Sequence, residues 1–312
     1  MNKGVINMNN LKKLGLTALG TALVTSSAVA GELSVTGVAG ITYVGNSTQD
    51  NGASKLSQKS TIGFSGSADL DNGFTVSYYN NLAGAAMTNA NAHFDVDMGD
   101  MGTLRYSGRD GASGNGAVGQ WDDVMPAANE ESWHQGTDGI DQQTRADSII
   151  YTNSAMVDGV TVILNYKPGE TTHDSTTGAG IKFTGVEGLD VGVAMEDNNT
   201  TDGAVVENTV AYIKYAMDAF TVGFQANETD SQTAAADTEF EAWGVSYAVS
   251  EDISISYGSS TVEFENTSLS DQEADAIGVS WTNGSMSVTA SRHDIANVAG
   301  ASTDDRDVTE VN

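Results

Sequence analysis

The acids Asp122, Asp123, Glu130, Glu131, Asp138 and Asp141 lie between Asp110 and Ala146, a segment whose only base is Arg145. Arg105 and Arg109 stand just ahead of it, and Lys59 and Lys214 are set apart in the chain. Carboxylates facing such bases across a narrow gap would set up a transverse field that sorts ions without making or breaking a bond. Bond-making chemistry finds little support. The four histidines, His93, His134, His173 and His293, show no ligand spacing, and the chain has no cysteine, so no metal site is expected. Gly111 to Gly119 lacks the lysine and the strand-to-helix setting that a phosphate-cradling loop needs. Gly63-Phe64-Ser65-Gly66 is a piece of strand, not a nucleophile elbow. The sequence is read as that of a protein without catalytic activity.

The elements that hold these charges alternate with period two. In Thr103 to Arg109, Leu104 and Tyr106 point one way while Arg105, Ser107 and Arg109 point the other. Ile62 and Phe64 oppose Thr61 and Ser65, and Phe94, Val96 and Met98 oppose His93, Asp95 and Asp97. The rhythm returns in Ser148 to Thr152 and continues to the end of the chain. Parity puts Arg105, Arg109, Lys59 and Lys214 on the polar faces. Ladder pairing of Arg105 with Asp95 or Asp97 on the adjacent strand is an equally good reading, and compatible with the first.

The connections between strands fall into two classes. Tight turns at Asn72, Asp100, Asp158, Glu187, Asp218, Glu251 and Asn283 alternate with longer polar loops, the longest spanning residues 110–146. Short turns at one rim and longer loops at the other are the habit of an antiparallel transmembrane β-barrel. A soluble sandwich has no reason to keep that order. Only 2 prolines among 312 residues suits long ladders in which each amide must be paired. Fifteen full strands and a partial last one, Arg306 to Asn312, predict an all-β barrel of about sixteen strands whose last strand is truncated. A loop as long as 110–146 is uncommon unless it works, and it is expected to fold into the lumen and narrow it.

Residues 1–30 read as an export signal, with Lys12 and Lys13 before an apolar centre from Leu14 to Val24 and a cleavage site at Ala28-Val29-Ala30. Residues 31–312 then form the barrel. The net charge of −29 excludes nucleic acid as a partner, because such a surface repels phosphates.

With these residues in view, the chain resembles the trimeric general-diffusion porins of Gram-negative outer membranes over its whole mature length. Gly102-Thr103-Leu104-Arg105-Tyr106-Ser107-Gly108-Arg109 is similar to the strand that precedes the family's constriction loop. Arg145-Ala146-Asp147-Ser148-Ile149-Ile150-Tyr151-Thr152-Asn153-Ser154 is similar to the strand that follows it, with Asn153-Ser154-Ala155 in place of the usual Ser-Pro. The resemblance implies a sixteen-stranded barrel, a homotrimer in the outer membrane, and passive flow of small hydrophilic solutes.

On this reading Arg105, Arg109, Lys59 and Lys214 line the wall of a constriction, opposite Asp122, Asp123, Glu130, Glu131, Asp138 and Asp141. The surplus of acid predicts a mild preference for cations. Tyr43, Tyr78, Tyr166, Tyr215, Tyr247 and Trp281 are expected in aromatic girdles facing membrane lipid. Asp197, Asp202, Glu228, Asp230, Asp271 and Asp275 could hold structural calcium bridging to lipopolysaccharide, although no run has a calcium-loop spacing. A substrate-selective channel is an open alternative, and a secreted acidic β-rich adhesin or structural surface protein is another.

Overall fold

The computed structural model describes residues 24–26, 32–46, 55–84, 86–108, 116–140, 146–169, 173–200, 205–232 and 236–312. Most of the export-signal reading lies outside the described residues. The exception is a three-residue strand, Val24–Ser26, that pairs with Leu33 to Val35.

Sixteen further strands form one antiparallel sheet. They are Glu32–Asn46 (β1), Lys55–Asp69 (β2), Thr75–Ala83 (β3), Thr88–Asp97 (β4), Thr103–Ser107 (β5), Ser148–Val157 (β6), Val160–Lys167 (β7) and His173–Phe183 (β8). The second half continues with Leu189–Thr200 (β9), Val205–Met217 (β10), Phe220–Ser231 (β11), Thr238–Ala248 (β12), Ile253–Phe264 (β13), Gln272–Asn283 (β14), Met286–Ala296 (β15) and Arg306–Val311 (β16). Each strand pairs with the next, and β16 returns to β1 through Val308↔Asn46 to Val311↔Tyr43. The sheet is therefore a closed barrel. One short helix, Ala117–Trp121 (α1), belongs to the long connection between β5 and β6.

Alternation places the side chains as period two requires. Ile41, Leu104, Met195, Ile213, Phe224, Trp243 and Ile277 are exposed on the outside, distributed around the whole circumference. Ser107, Asn165, Asn208, Gln225 and Gln272 face inward and are buried. A soluble sandwich would hide its apolar rows in a dry centre, whereas here apolar groups face out and polar groups face in, as lipid outside and water inside demand. Tyr43, Tyr78, Tyr166 and Tyr215 are exposed on this outer surface. Tyr247 is half-buried against Phe220, with ring centroids 4.5 Å apart.

The turns are built from local chemistry. At Asn72-Gly73 the Asn72 side chain accepts a hydrogen bond from the Phe74 amide, and Gly73 takes a positive φ of 85° that a side chain would oppose. Where β6 bulges, Asn153 Oδ1 accepts from the amides of Ala155 and Met156 at 2.8 and 3.0 Å, and its Nδ2 donates to the Asp100 carbonyl. The departure from Ser-Pro thus has a physical basis: one amide side chain satisfies the donors that the bulge frees.

Candidate functional site

The connection between β5 and β6 carries the acids expected at the constriction. Its described part, residues 116–140, lies against the inner wall. Helix α1 packs first: Ala117, Val118 and Trp121 are buried with Ile150 of β6, Ile163 of β7, Ala194 of β9 and Val210 and Tyr212 of β10. Trp121 meets Tyr212 edge-on at 6.2 Å. Further along, Trp133 meets Phe240 of β12 edge-on at 4.9 Å.

Polar side chains of the wall then fasten the backbone of the loop, strand by strand. Asn165 Oδ1 accepts from the Ala117 amide at 3.0 Å, and Gln225 accepts from the Val124 amide while donating to the Asp122 carbonyl. Ser256 Oγ accepts from the Ala128 amide at 2.7 Å, and Ser132 pairs with Ser260. Gln272 both accepts from the Thr137 amide and donates to its carbonyl. Thr229 and Thr238 donate to the Gly139 carbonyl at 2.8 and 2.7 Å. A loop far from other backbone would carry unpaired amides inside the barrel, and the wall's Asn, Gln, Ser and Thr side chains supply the missing partners.

A track of small residues makes room for it. Gly223, Gly244 and Gly258 are direct cross-strand partners on β11, β12 and β13. A Cβ on Gly223 would lie 2.7 Å from Pro126 Cδ, and one on Gly244 would lie 2.9 Å from the Pro126 carbonyl oxygen. On β8, a Cβ on Gly180 would meet Trp121 at 2.5 Å. These glycines were not singled out from the sequence, although their inward parity in the middle of strands is a usable signal.

The charged residues expected at the constriction are dispersed by this packing. Asp122 is buried beneath the loop, only 3% exposed, while Asp123 is exposed and accepts from Trp133 Nε1 at 3.0 Å. Asp138 accepts from the Ile140 amide two residues on. Arg105 faces inward and binds Asp95 with two hydrogen bonds, Nε to Oδ1 at 2.7 Å and Nη2 to Oδ2 at 2.8 Å. Lys214 lies 3.7 Å from Asp190 and over the Tyr212 ring. Lys59 falls on the inward parity of β2, and its charge acts on Glu130. Arg109 and Asp141 lie outside the described residues.

Burial is the largest influence on the titration of Glu130 and Glu131. It raises the Glu130 carboxyl above the usual carboxylate range, with the neighbouring Glu310 and Asp123 adding to the effect and His134 and Lys59 opposing it. Burial pushes Glu131 up to about 8, and Asp123 contributes through repulsion. Glu131 is therefore mostly neutral at pH 7.

Among the described residues one group of ligating side chains converges, Glu130, His134 and Glu310. His134 and Glu310 were not among the constriction residues expected from sequence. The acids considered for calcium do not gather with them: Asp197 accepts from Thr177 and Asp275 accepts from Tyr257, while Asp202 lies outside the described residues.

A closed barrel with an apolar exterior and a loop bound across its inner wall has the form of a membrane pore. The family model described as Gram-negative porin matches residues 15–312. The chain belongs to the Gram-negative porin family. The porin is similar in fold to OmpF of Salmonella typhi in complex with daunomycin, at 16% identity and a TM-score of 0.73, covering 92% of this chain and 99% of that one. It is also similar to OmpT, an outer membrane protein of Vibrio cholerae, at 11% identity and a TM-score of 0.70, covering 92% and 98%. The anion-selective porin from Comamonas acidovorans aligns at 13% identity with a TM-score of 0.67, covering 90% and 98%. No curated protein matches the chain. This porin is an outer-membrane channel.

Proposed function

We propose that this porin passes small hydrophilic solutes and ions passively, with a mild preference for cations, and does no catalysis. One observation carries the selectivity: the lumen-facing arginines Arg105 and Arg306 are already paired with Asp95 and Asp304, whereas Asp123 lies exposed on the loop with no base among the described residues paired to it by a salt bridge. A guanidinium engaged by both carboxylate oxygens adds little net field at a distance, so the acids prevail. Mobile cations gather where the potential is negative. The test is the reversal potential of the reconstituted porin across a potassium chloride gradient. A sign showing excess cation current supports the reading, and a clear anion preference overturns it.

We propose further that the porin assembles as a homotrimer surrounded by outer-membrane lipid, including lipopolysaccharide. OmpT of Vibrio cholerae has a structure in trimer form, to which this chain is similar at a TM-score of 0.64. Gel migration with and without heating separates a folded trimer from its subunits.

A more selective channel is favoured by a different feature. Ser34, Ser65, Ser67, Ser77, Tyr79 and His93 line a recess of about 380 Å³, and the Tyr79 and His93 rings stack at 5.3 Å. Hydroxyls beside a flat ring surface suit a neutral sugar. Concentration-dependent block of ion current by a sugar would support that reading, and its absence leaves the general one.

A further inference from the structure

The loop and the last strand meet at a site with the donor set of a transition-metal centre. Two overlapping turns run through residues 131–136, with the His134 amide bonded to the Glu131 carbonyl and the Gly136 amide to the Trp133 carbonyl. The chain reversal brings Glu130 and His134, four residues apart, together. Glu130 Oε2 lies 3.3 Å from His134 Nδ1, and Glu310 Oε2 of β16 lies 3.6 Å from His134 Nε2. One donor atom from each of the three side chains falls within 4.8 Å of the others.

Two features separate this from an ordinary surface ion pair. Glu310 is a carboxylate with a side chain only 9% exposed, fixed by Asn312 Nδ2 at 2.8 Å and approached by Gln135 Nε2 at 3.4 Å. Its lone pairs are thus aimed by neutral amides rather than neutralised by a base; the nearest guanidinium, Arg306, donates to the Gln135 carbonyl and pairs with Asp304. The second feature is the contrast between two histidines. His293 approaches the Ser132 carbonyl through Nδ1 and Ser291 Oγ through Nε2, so both nitrogens are engaged by neutral groups. His134, whose ring lies 6.0 Å from that of His293, has both nitrogens directed at carboxylates and its side chain 36% exposed to the lumen.

We infer that Glu130, His134 and Glu310 bind a divalent transition-metal ion, zinc being the best fit, which ties the constriction loop to β16. Imidazole with two carboxylates is a zinc donor set, and donors about 2 Å from a tetrahedral ion stand roughly 3.3 Å apart. The two carboxylates face different nitrogens of the ring, 3.3 Å from Nδ1 and 3.6 Å from Nε2, and because one donor atom of each side chain lies within 4.8 Å of the others, rotation of one glutamate brings both oxygens to the same nitrogen. Water in the lumen takes the remaining position. Magnesium, which prefers an all-oxygen octahedron and keeps its water, gains little from an imidazole. Bound zinc would cancel the charge of the two carboxylates on the lumen side of the loop, so the ion both locks the loop and depresses cation current.

The experiment uses the detergent-purified porin, and wild type is compared with His134→Gln and Glu310→Gln. Calorimetric titration with zinc chloride reads binding directly, and single-channel conductance before and after zinc, then after a chelator, reads its consequence. The calorimetric arm stands whether or not the selectivity reading holds. Saturable zinc binding to wild type is expected, together with a conductance drop of roughly twofold that the chelator reverses. Each variant, measured against its own zinc-free baseline and shown to be folded by heat-modified gel migration, is expected to bind at least about tenfold more weakly. Magnesium at the same concentration should leave the wild-type current unchanged. No heat of binding in wild type, or equal zinc affinity in both folded variants, overturns the inference.

Discussion

The charge that matters in this lumen is set residue by residue, and Glu131 shows how far a formal count misleads. Its carboxyl is pushed up to about 8 by burial and by Asp123, against 4.5 for the free side chain, so the folded loop holds a proton that the unfolded chain would release. The linkage follows from that sign. The stabilisation is fully present below the free carboxyl's pKa of 4.5 and is lost as pH rises through about 8, where ionisation costs burial energy that the charge of Lys214 only partly offsets. Above that pH the same event adds negative charge beside the channel. Cation preference, read as reversal potential, is therefore expected to increase between pH 6 and pH 9 in the wild type. In Glu131→Gln the part of that change due to this residue disappears while the fold keeps its neutral side chain. A pH profile unaltered by the substitution would place the titrating charge elsewhere.

At the scale of elements, the constriction is a docking problem between one loop and six or more strands. Trp121 fills the space between Gly180 of β8 and Tyr212 of β10. Trp121→Ala should cost about 3–5 kcal/mol of docking energy, as large-to-small changes in packed cores do. Single-channel recordings are expected to show added flicker and higher mean conductance, and limited proteolysis should cut the loop sooner. The reverse change is Gly244→Val, whose Cβ would crowd the Pro126 carbonyl oxygen at 2.9 Å. Overpacking of that kind costs about 1–3 kcal/mol and pushes the loop toward the channel axis. Its conductance should fall, with gel migration of the folded species unchanged. The strands themselves were legible from the sequence because period two and the turn residues are local signals, as in Leu104 and Tyr106 against Arg105. The inward course of the loop was legible from its length and place. Its seat was not, since Asn165, Gln225 and Gln272 read only as polar positions until the barrel brings them under residues 117–137. The Arg105 and Asp95 pair was foreseeable from register; the convergence of His134 with Glu310 was not, because 176 positions separate them and only closure joins them.

For the whole molecule, the property to be explained is closure, and the ladders that achieve it are unequal. β1 and β2 pair from Glu32↔Ser67 to Val44↔Lys55, and β10 and β11 from Val206↔Ser231 to Met217↔Phe220. The closing pair, β16 with β1, spans only Val308↔Asn46 to Val311↔Tyr43, with Thr42 Oγ1 donating to Asn312 Oδ1 at 2.6 Å beside it. Opening a seam exposes amides in proportion to the length that parts, so the shortest ladder is the cheapest to open. In lipid that cost is raised, because no water is present at the outer surface to satisfy a freed edge. Hydrogen exchange of the porin in bilayer nanodiscs should thus protect β10 and β11 longest and release the amides of β16 and the adjoining end of β1 first. Zinc, if it joins Glu130 and His134 of the loop to Glu310 of β16, should slow exchange at that seam while leaving β10 and β11 unchanged. Uniform protection around the barrel would mean that loop contacts such as Arg306 to the Gln135 carbonyl, rather than ladder length, govern how the cylinder opens.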